Sequence, residues 1–348
     1  MSTPRVSEQV VFTAAADYFP AAAQELQVAF PRASITRLAP DTGAMSAPGV
    51  GIDDVAATCR QRPVVFVRHL MRATEVLPLA PAADFADRAS ALCLALARGH
   101  QLESIALQVW MTGEVNLGER PDTIRRHVED HLRSAGVEVA RAGRPQTLPL
   151  CITPAGAFFG ITPTAATLAE WPGGRVSLAK RAGQISRAEL KLDELFKLYS
   201  PPIPADGAAL DLGASPGGWT HVLRRLGFTV WAVDPAPLDA RLAGDPAIHH
   251  IATTAGAFLA RTDHNHDFDL VVNDMRMVPS RSCTTMLTAA HRLRPGGCGI
   301  VTLKLSPQEP LRVVAASFRR LERVYDVLFA RQLFHNRNEV TVVCQKPA

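Results

Sequence analysis

Short apolar runs alternate with stretches of helical spacing along the second half of the chain. The runs predict strands and the stretches between them predict helices. Their regular alternation is typical of a parallel sheet with helices on both faces. Strands are predicted at residues 208–212, 229–233, 268–273 and 299–303, and helices at residues 218–226, 281–293 and 309–321.

Two further β-rich runs follow the last of these helices, at residues 324–333 and 339–344. Only the five residues FHNRN separate them. A connection this short cannot hold a crossover helix, so the two runs should pair antiparallel, as a hairpin at the edge of the sheet.

The first half of the chain has a less regular pattern, which predicts small α+β units. Strands are predicted at residues 10–13, 64–67 and 104–111, another strand or pair of strands within residues 148–161, and helices at residues 18–30 and after the start signal Pro121-Asp122.

Breaks rich in proline and alanine at residues 77–83 and 163–174 suggest domain boundaries. They predict an N-terminal α+β domain, a second α+β domain, a linker and the α/β domain, at residues 1–80, 81–165, 166–185 and 186–348.

The composition excludes several classes of protein. With 348 residues, 47% hydrophobic and 20% charged, the chain is an ordinary globular protein. The first residues lack the apolar core of a signal peptide, and no run reaches the roughly 18 apolar residues of a membrane span. We therefore expect a cytoplasmic protein without membrane contact.

Cysteines and histidines give no sign of a metal site. The six cysteines have no CxxC spacing, so we expect reduced and mostly buried thiols. His127 and His131 lie four residues apart on a predicted helix but have no third ligand nearby. No metal is expected, and a solvated helix face is the better interpretation of this pair.

Basic residues are unevenly distributed. Of the 37 cations, 32 are arginine and only five are lysine, and the net charge of +4 arises from −1 over residues 1–165 and +5 over residues 166–348. A polyanion should therefore meet the C-terminal half more readily. Two basic strips are candidates for phosphate contact, with solvated surface charge as the alternative. They comprise Arg175, Lys180, Arg181 and Arg187, and Arg319, Arg320 and Arg323.

The string LDLGASPGGW, residues 210–219, is the most informative motif. An apolar strand runs into a glycine-rich turn that opens a helix, so a ligand can approach the backbone at the carboxyl edge of the sheet. The GxxxGG spacing differs from the GxGxxG of dinucleotide enzymes and from the P-loop, which disfavours NAD and ATP. The predicted cofactor-binding residues of this turn are Asp211, Gly213, Ser215, Pro216, Gly217, Gly218 and Trp219.

Asp234 closes the next predicted strand. A carboxylate at that position can accept both hydroxyls of a ribose, as an adenosine-containing cofactor requires. Acids at strand ends also serve as caps and in turns, and the indole of Trp219 is equally suited to packing. The glycine turn before Asp234 favours the cofactor interpretation.

Four ionisable residues lie at the boundaries of predicted elements, namely Lys191, Asp274, Lys304 and Glu339. Asp274 and Lys304 end parallel strands, and Glu339 begins an antiparallel one, so these three should meet at the edge that carries the glycine turn. Bringing charged side chains together beside a cofactor turn costs desolvation free energy, so such a cluster indicates a functional role. Taken alone, Lys191 would be an ordinary solvated lysine, because it lies off the apolar stripe of its helix.

The strings SRAELKLDELF, LDLGASPGGWT, VVND, VTLKL and RQLFHNRNEVTV resemble the FtsJ/RrmJ superfamily of RNA 2′-O-ribose methyltransferases. Within it, the chain is most similar to the ribosomal large-subunit RNA methyltransferase M (RlmM) family. The resemblance is specific over residues 186–345 and looser over the first 165.

This resemblance implies a Rossmann-like domain that uses S-adenosylmethionine, and a catalytic Lys-Asp-Lys-Glu tetrad at Lys191, Asp274, Lys304 and Glu339. It implies a THUMP domain in the N-terminal half. The implied substrate is a cytidine of 23S-type ribosomal RNA, met before the subunit is fully assembled. We expect a monomer. Where such enzymes often place an acid near the adenine, this chain has Thr254.

Methyl transfer to a ribose hydroxyl needs a base, because that hydroxyl is a poor acid. A lysine near a second cation or partly desolvated can lose its proton, whereas arginine cannot. We expect Lys304 to deprotonate the 2′-hydroxyl, Asp274 and Glu339 to orient the lysines and the substrate, and Lys191 to position the ribose and stabilise negative charge.

Three other functions stay open at this point. They are 2′-O-methylation of transfer RNA or an mRNA cap, a non-catalytic RNA-binding or assembly factor, and a small-molecule methyltransferase. The last would not need the N-terminal half, and an intact tetrad beside an intact glycine turn disfavours the second.

Overall fold

The computed structural model describes residues 9–60, 64–179, 183–261 and 267–348. It divides into two compact units, Met1–Ser177 and Leu178–Ala348. The predicted finer division of the first unit near residue 80 stays a prediction.

The first unit carries two sheets. Its strands are β1 (Gln9–Thr13), β2 (Ser34–Ala39), β3 (Thr42–Ser46), β4 (His69–Ala73), β5 (Glu75–Leu77), β6 (Ser104–Met111), β7 (Glu138–Ala140), β8 (Gln146–Thr153), β9 (Gly156–Phe159) and β10 (Thr162–Pro163). Its helices are α1 (Phe19–Ala29), α2 (Ile52–Arg60), α3 (Phe85–Gly99) and α4 (Pro121–Ser134).

These strands form an antiparallel sheet of order β2-β3-β1-β4 and a mixed sheet of order β5-β9-β8-β6-β7, with β10 paired to β8. The mixed sheet pairs β6 parallel to β7 and β8. One apolar cluster joins residues of both sheets, among them Val11, Met71 and Trp110. The predicted strands at residues 10–13 and 104–111 and the helix at residues 18–30 are confirmed.

The strand predicted at residues 64–67 is wrong. These four residues are buried but belong to no strand. The backbone N–H groups of Val65 and Phe66 donate instead to the carboxylate of Glu25, a buried side chain of α1, at 2.9 to 3.0 Å. A side-chain acceptor therefore satisfies donors that a sheet would otherwise pair.

The second unit is an α/β unit. Its strands are β11 (Gly207–Leu212), β12 (Phe228–Val233), β13 (Ile248–Ile251), β14 (Phe268–Asn273), β15 (Leu293–Lys304), β16 (Asp326–Arg331) and β17 (Glu339–Gln345). Its helices are α5 (Glu189–Leu198), α6 (Gly218–Arg225), α7 (Ala255–Leu259), α8 (Pro279–Ala289) and α9 (Pro310–Leu321).

These strands form a seven-stranded sheet of order β13-β12-β11-β14-β15-β17-β16. The five strands from β11 to β15 pair in parallel, and β17 pairs antiparallel to both β15 and β16. The strand order reverses between β11 and β14, which is where open α/β sheets bind ligands. The predicted strands and the edge hairpin are confirmed, whereas the short elements β13 and α7 had not been predicted.

The core of this unit lies where α5 and α6 pack on the sheet. Leu192 and Leu195 of α5 and Val222 of α6 are fully or almost fully buried against apolar residues of β11, β12, β14 and β15. This packing fixes α5 beside the strand ends that carry the candidate site.

The six cysteines are free and buried, as expected. Among the helices that the structure describes, none has the length and apolar character needed to span a bilayer.

Candidate active site

The glycine turn connects β11 to α6 at the carboxyl edge of the sheet. Gly213 and Gly217 have φ values of +78° and +107°, which side-chain-bearing residues rarely adopt. A Cβ at Gly213 would collide with Met275, one at Gly217 with Leu242, and one at Gly218 with the hydroxyl of Ser186. The backbone of the turn must therefore stay free of side chains at these three positions.

Asp234 follows β12 and connects it to the glycine turn. Its Oδ2 accepts from the backbone N–H of Ser215 at 3.2 Å, and its Oδ1 accepts from that of Ala236 at 2.8 Å. The hydroxyl of Ser215, which precedes Pro216, donates to the carbonyl of Pro237 at 2.9 Å. Each carboxylate oxygen keeps a second acceptor position, so the half-buried Asp234 fits the hydroxyls of an adenosine-type ribose.

Asp211 lies at the buried base of the same turn. The hydroxyl of Thr220 donates to its Oδ2 at 2.7 Å. Burial raises the pKa of Asp211 to about 7, with the hydrogen bond from Thr220 opposing and the negative charge of Asp274 reinforcing that shift. Asp211, on the strand that leads into the glycine turn, is therefore a carboxyl group whose pKa lies near neutral pH.

Two other predicted cofactor residues have roles within the fold. The indole of Trp219 is buried in the core, and its Nε1 donates to the carbonyl of Ala188 at 2.9 Å. The hydroxyl of Thr254 caps α7 by accepting from the N–H of Ala257 at 3.2 Å. Cofactor contacts by Trp219 and Thr254 stay predictions.

The structure brings the four predicted tetrad residues together in a ring of alternating charge. Lys191 Nζ lies 2.9 Å from Asp274 Oδ2 and 2.6 Å from Glu339 Oε2. Lys304 Nζ lies 2.7 Å from Asp274 Oδ1 and 3.1 Å from Glu339 Oε1. Each lysine therefore contacts both carboxylates, and each carboxylate contacts both lysines.

The ring is partly shielded from solvent, because its four side chains are only 13% to 21% exposed. Burial lowers the pKa of Lys191, but the charges of Asp274 and Glu339 outweigh it and hold that pKa above its usual value. Burial likewise raises the pKa of Asp274, and the charges of Lys191 and Lys304 outweigh it and hold that pKa low. The two carboxylates therefore hold Lys191 in its protonated form.

Thr302 is a fifth member that the sequence reasoning missed. Its buried hydroxyl donates to Asp274 Oδ1 at 2.6 Å and accepts from Lys304 Nζ at 2.9 Å. The signal was present in the string VTLKL, since residues two apart on a strand share a face.

Lys191 is positioned by a variant of the capping box, which Ser186 and Glu189 form at the start of α5. Glu189 Oε1 accepts from the N–H of Ser186 at 3.2 Å, and the hydroxyl of Ser186 accepts from the N–H of Ala188 at 3.3 Å. The box starts α5 beside the glycine turn, because Gly218 of α6 lies against Ser186.

Phosphate contact by the two basic strips stays a prediction. The guanidinium of Arg175 is committed within the first unit, where it lies 3.0 Å from Asp41 Oδ2 and donates to the carbonyl of Met111. Lys180 and Arg181 lie outside the described residues.

His127 Nε2 lies 2.8 Å from Asp87 Oδ1, and no group of three or more potential metal ligands occurs in the described ranges.

Residues 184–324 match the family described as FtsJ-like methyltransferase. A protein of Alkalilimnicola ehrlichii, named Ribosomal RNA large subunit methyltransferase M, is 34% identical over 284 residues, covering 75% of this chain and 74% of the relative. A protein of the same name from Pseudomonas putida (strain F1) is 30% identical over 273 residues, covering 73% and 74%.

Among solved structures, TrmN from Thermus thermophilus aligns over 98% of this chain and 100% of that chain, with 16% identity and a TM-score of 0.41. The sequence relatives, and not this superposition, establish the kinship.

Proposed function

The chain belongs to the ribosomal RNA large subunit methyltransferase M family, and on that premise we propose that it methylates the 2′-hydroxyl of a ribose in RNA. S-adenosylmethionine is the methyl donor, and when bound it supplies an electrophilic methyl group. The observation that carries the proposal is the alternating ring of Lys191, Asp274, Lys304 and Glu339.

The ring suits a hydroxyl nucleophile better than a nitrogen of a base. A ribose hydroxyl must lose a proton in the transfer, so it requires a positioned base and a cation to stabilise the developing negative charge. Lys191, held protonated by Asp274 and Glu339, supplies the cation.

Lys304 is the base in this proposal. Asp274 and Glu339 hold its amino group from two sides, and a lysine, unlike an arginine, can act as a proton acceptor. Thr302 and Asp274 orient Lys304 Nζ through contacts of 2.9 and 2.7 Å. That nitrogen would accept the proton of the 2′-hydroxyl while the hydroxyl oxygen takes the methyl group, and the methyl–sulfur bond of the donor would break to leave a neutral thioether.

The glycine turn and Asp234 form the cofactor site in this proposal. The absence of side chains at Gly213, Gly217 and Gly218 lets the turn contact the cofactor closely, and Asp234 accepts the ribose hydroxyls of its adenosine part. Asp211, Ser215, Pro216, Trp219 and Thr254 complete the proposed set.

The proposed substrate is a cytidine of 23S-type ribosomal RNA, met before the subunit is fully assembled, since the relatives are named for large-subunit ribosomal RNA. We place RNA recruitment in the first unit, with a THUMP-like domain at residues 81–165. The enzyme would act in the cytoplasm. It would act as a monomer, and sedimentation of the purified chain would check this oligomeric state.

Labelled S-adenosylmethionine and unmodified large-subunit ribosomal RNA test this function. We expect one labelled nucleotide that resists alkaline cleavage at its 3′ side, as a 2′-O-methyl ribose does. Label on a base would refute the assignment of a ribose as the methylated group. Label on transfer RNA alone would refute the assignment of ribosomal RNA as the substrate. No transfer to any RNA would favour a non-catalytic assembly factor, and equal activity on intact subunits would contradict action before assembly.

A further inference from the structure

Phe334 is an exposed aromatic residue in the loop that leads to Glu339 of the candidate site. It lies in the connecting loop, residues 332–338, which joins β16 to Glu339 at the start of β17. Its side chain is 38% exposed. A single exposed apolar residue is common on protein surfaces, so its significance depends on how the loop is held.

The connecting loop is held by a buried charge. Glu194 of α5 is almost wholly buried, and its carboxylate accepts from the backbone N–H of Phe334 at 2.7 Å and from that of His335 at 2.9 Å. His335 Nδ1 also lies 2.7 Å from Glu194 Oε2. A buried carboxylate is costly unless it is fully hydrogen-bonded, so this loop is strongly fixed in place.

The same contacts attach the connecting loop to α5, which carries Lys191 of the tetrad. Glu194 lies three residues after Lys191, so both project from neighbouring positions on α5. At the other end of the loop, the carbonyl of Asn338 accepts from the N–H of Leu305, the residue after Lys304, at 2.7 Å. The connecting loop is thus attached beside both lysines of the ring.

The ring of Phe334 also has a defined neighbour. The imidazole of His335 meets it edge to face, with ring centroids 5.4 Å apart. Arg337, three residues after Phe334, is exposed, and its positive charge is suited to a phosphate. An aromatic surface and a guanidinium beside a ribose-modifying centre are the features by which proteins bind an unstacked nucleotide.

We propose that Phe334 stacks on the base of the target nucleotide, that Arg337 contacts an adjacent phosphate, and that Glu194 is a positioning residue that fixes their loop. This inference rests on the proposed function and deepens it. The enzyme would recognise a nucleotide whose base has been freed from its helical stack, and stacking would hold the ribose against the ring.

Substitution of Phe334 tests the proposal, with Leu328 as the matched control. Leu328 is 37% exposed on the neighbouring strand β16. We expect Phe334→Ala to lower kcat/KM for unmodified ribosomal RNA about 10- to 100-fold, Phe334→Trp to retain activity, and Leu328→Ala to change nothing. Affinity for S-adenosylmethionine should stay the same in all three. Normal kcat/KM for Phe334→Ala would overturn the proposal.

An abasic substrate separates stacking from a structural role. The RNA carries an abasic ribose at the nucleotide that wild-type enzyme methylates, so its 2′-hydroxyl is retained. We expect wild-type enzyme to lose about as much activity on this RNA as Phe334→Ala loses on normal RNA, and Phe334→Ala to lose nothing more. Additive losses would overturn the stacking assignment. If the wild-type enzyme methylated no ribose in the normal, unmodified RNA, that result would instead refute the proposed function.

Discussion

Lys304 and Glu339 lie directly opposite each other in the antiparallel pairing of β15 and β17. Their charged atoms are 3.1 Å apart. The register of two strands therefore sets this half of the ring, while α5 and the end of β14 supply Lys191 and Asp274. A ring with backbone-defined members holds its geometry before any substrate arrives.

Lys304→Arg should retain the charge and lose the chemistry. Arginine forms the same kind of ion pair with Asp274 but does not release a proton at neutral pH. We expect kcat to fall at least about 100-fold while affinity for S-adenosylmethionine stays normal. Single-turnover methylation and calorimetry measure the two quantities, with the exposed Lys197→Arg on α5 as the control. A near-normal rate would disprove the assignment of Lys304 as the base.

Thr302→Val should weaken the ring without emptying space. Valine has nearly the volume of threonine but cannot donate to Asp274 or accept from Lys304. We expect kcat to fall about tenfold, because a hydrogen bond to a charged group is lost. Thr302→Ser keeps the hydroxyl and should recover most of the rate. Equal rates for the valine and serine variants would exclude a role for the hydroxyl.

Gly217→Ala should damage cofactor binding. The φ of +107° and the collision of a Cβ with Leu242 would force the turn to move. We expect the Kd for S-adenosylmethionine to rise about tenfold or more. Gly256→Ala, in α7, is the control, because its Cβ would meet nothing within 4 Å. Unchanged affinity in Gly217→Ala would place the cofactor elsewhere.

Asp211 should make stability depend on pH between about 4 and 7. Its pKa is about 7 in the folded protein and near its ordinary value of 3.8 when the chain is unfolded. The folded state holds the proton more tightly, so the stability due to this group is complete below pH 4 and is lost as the pH rises to 7.

Asp211→Asn should remove this dependence, which amounts to roughly 1.4 kcal/mol per pH unit. Urea unfolding at pH 5 and pH 8 measures it, and the variant should lose less stability than the wild type over that interval. The low pKa of Asp274 predicts the opposite sign, with stability present above pH 3.8 and lost as the pH falls. Parallel curves for wild type and Asp211→Asn would contradict the high pKa.

Much of the α/β unit could be predicted because parallel strands buried on both faces form short apolar runs, as in residues 268–273. The convergence of Asp274, Lys304 and Glu339 followed from strand direction alone. Lys191 required the family resemblance, since α5 also carries Lys197 and helical spacing does not show which lysine turns toward the ring.

The failures have physical causes. The run at residues 64–67 has the composition of a strand, yet its donors bond to Glu25, a residue distant in sequence. Glu194 escaped notice for the same reason, because a buried acid within a helix resembles a surface acid until its partners are known. Tertiary partners of this kind are not encoded in local periodicity.

The position of β17 ties the closure of the sheet to the completion of the ring. This strand follows β16 in the chain but lies between β15 and β16 in the sheet. Its pairing with β15 brings Glu339, its first residue, opposite Lys304. A chain that lacks this strand would therefore have an unpaired edge at β15 and only three of the four charges of the ring.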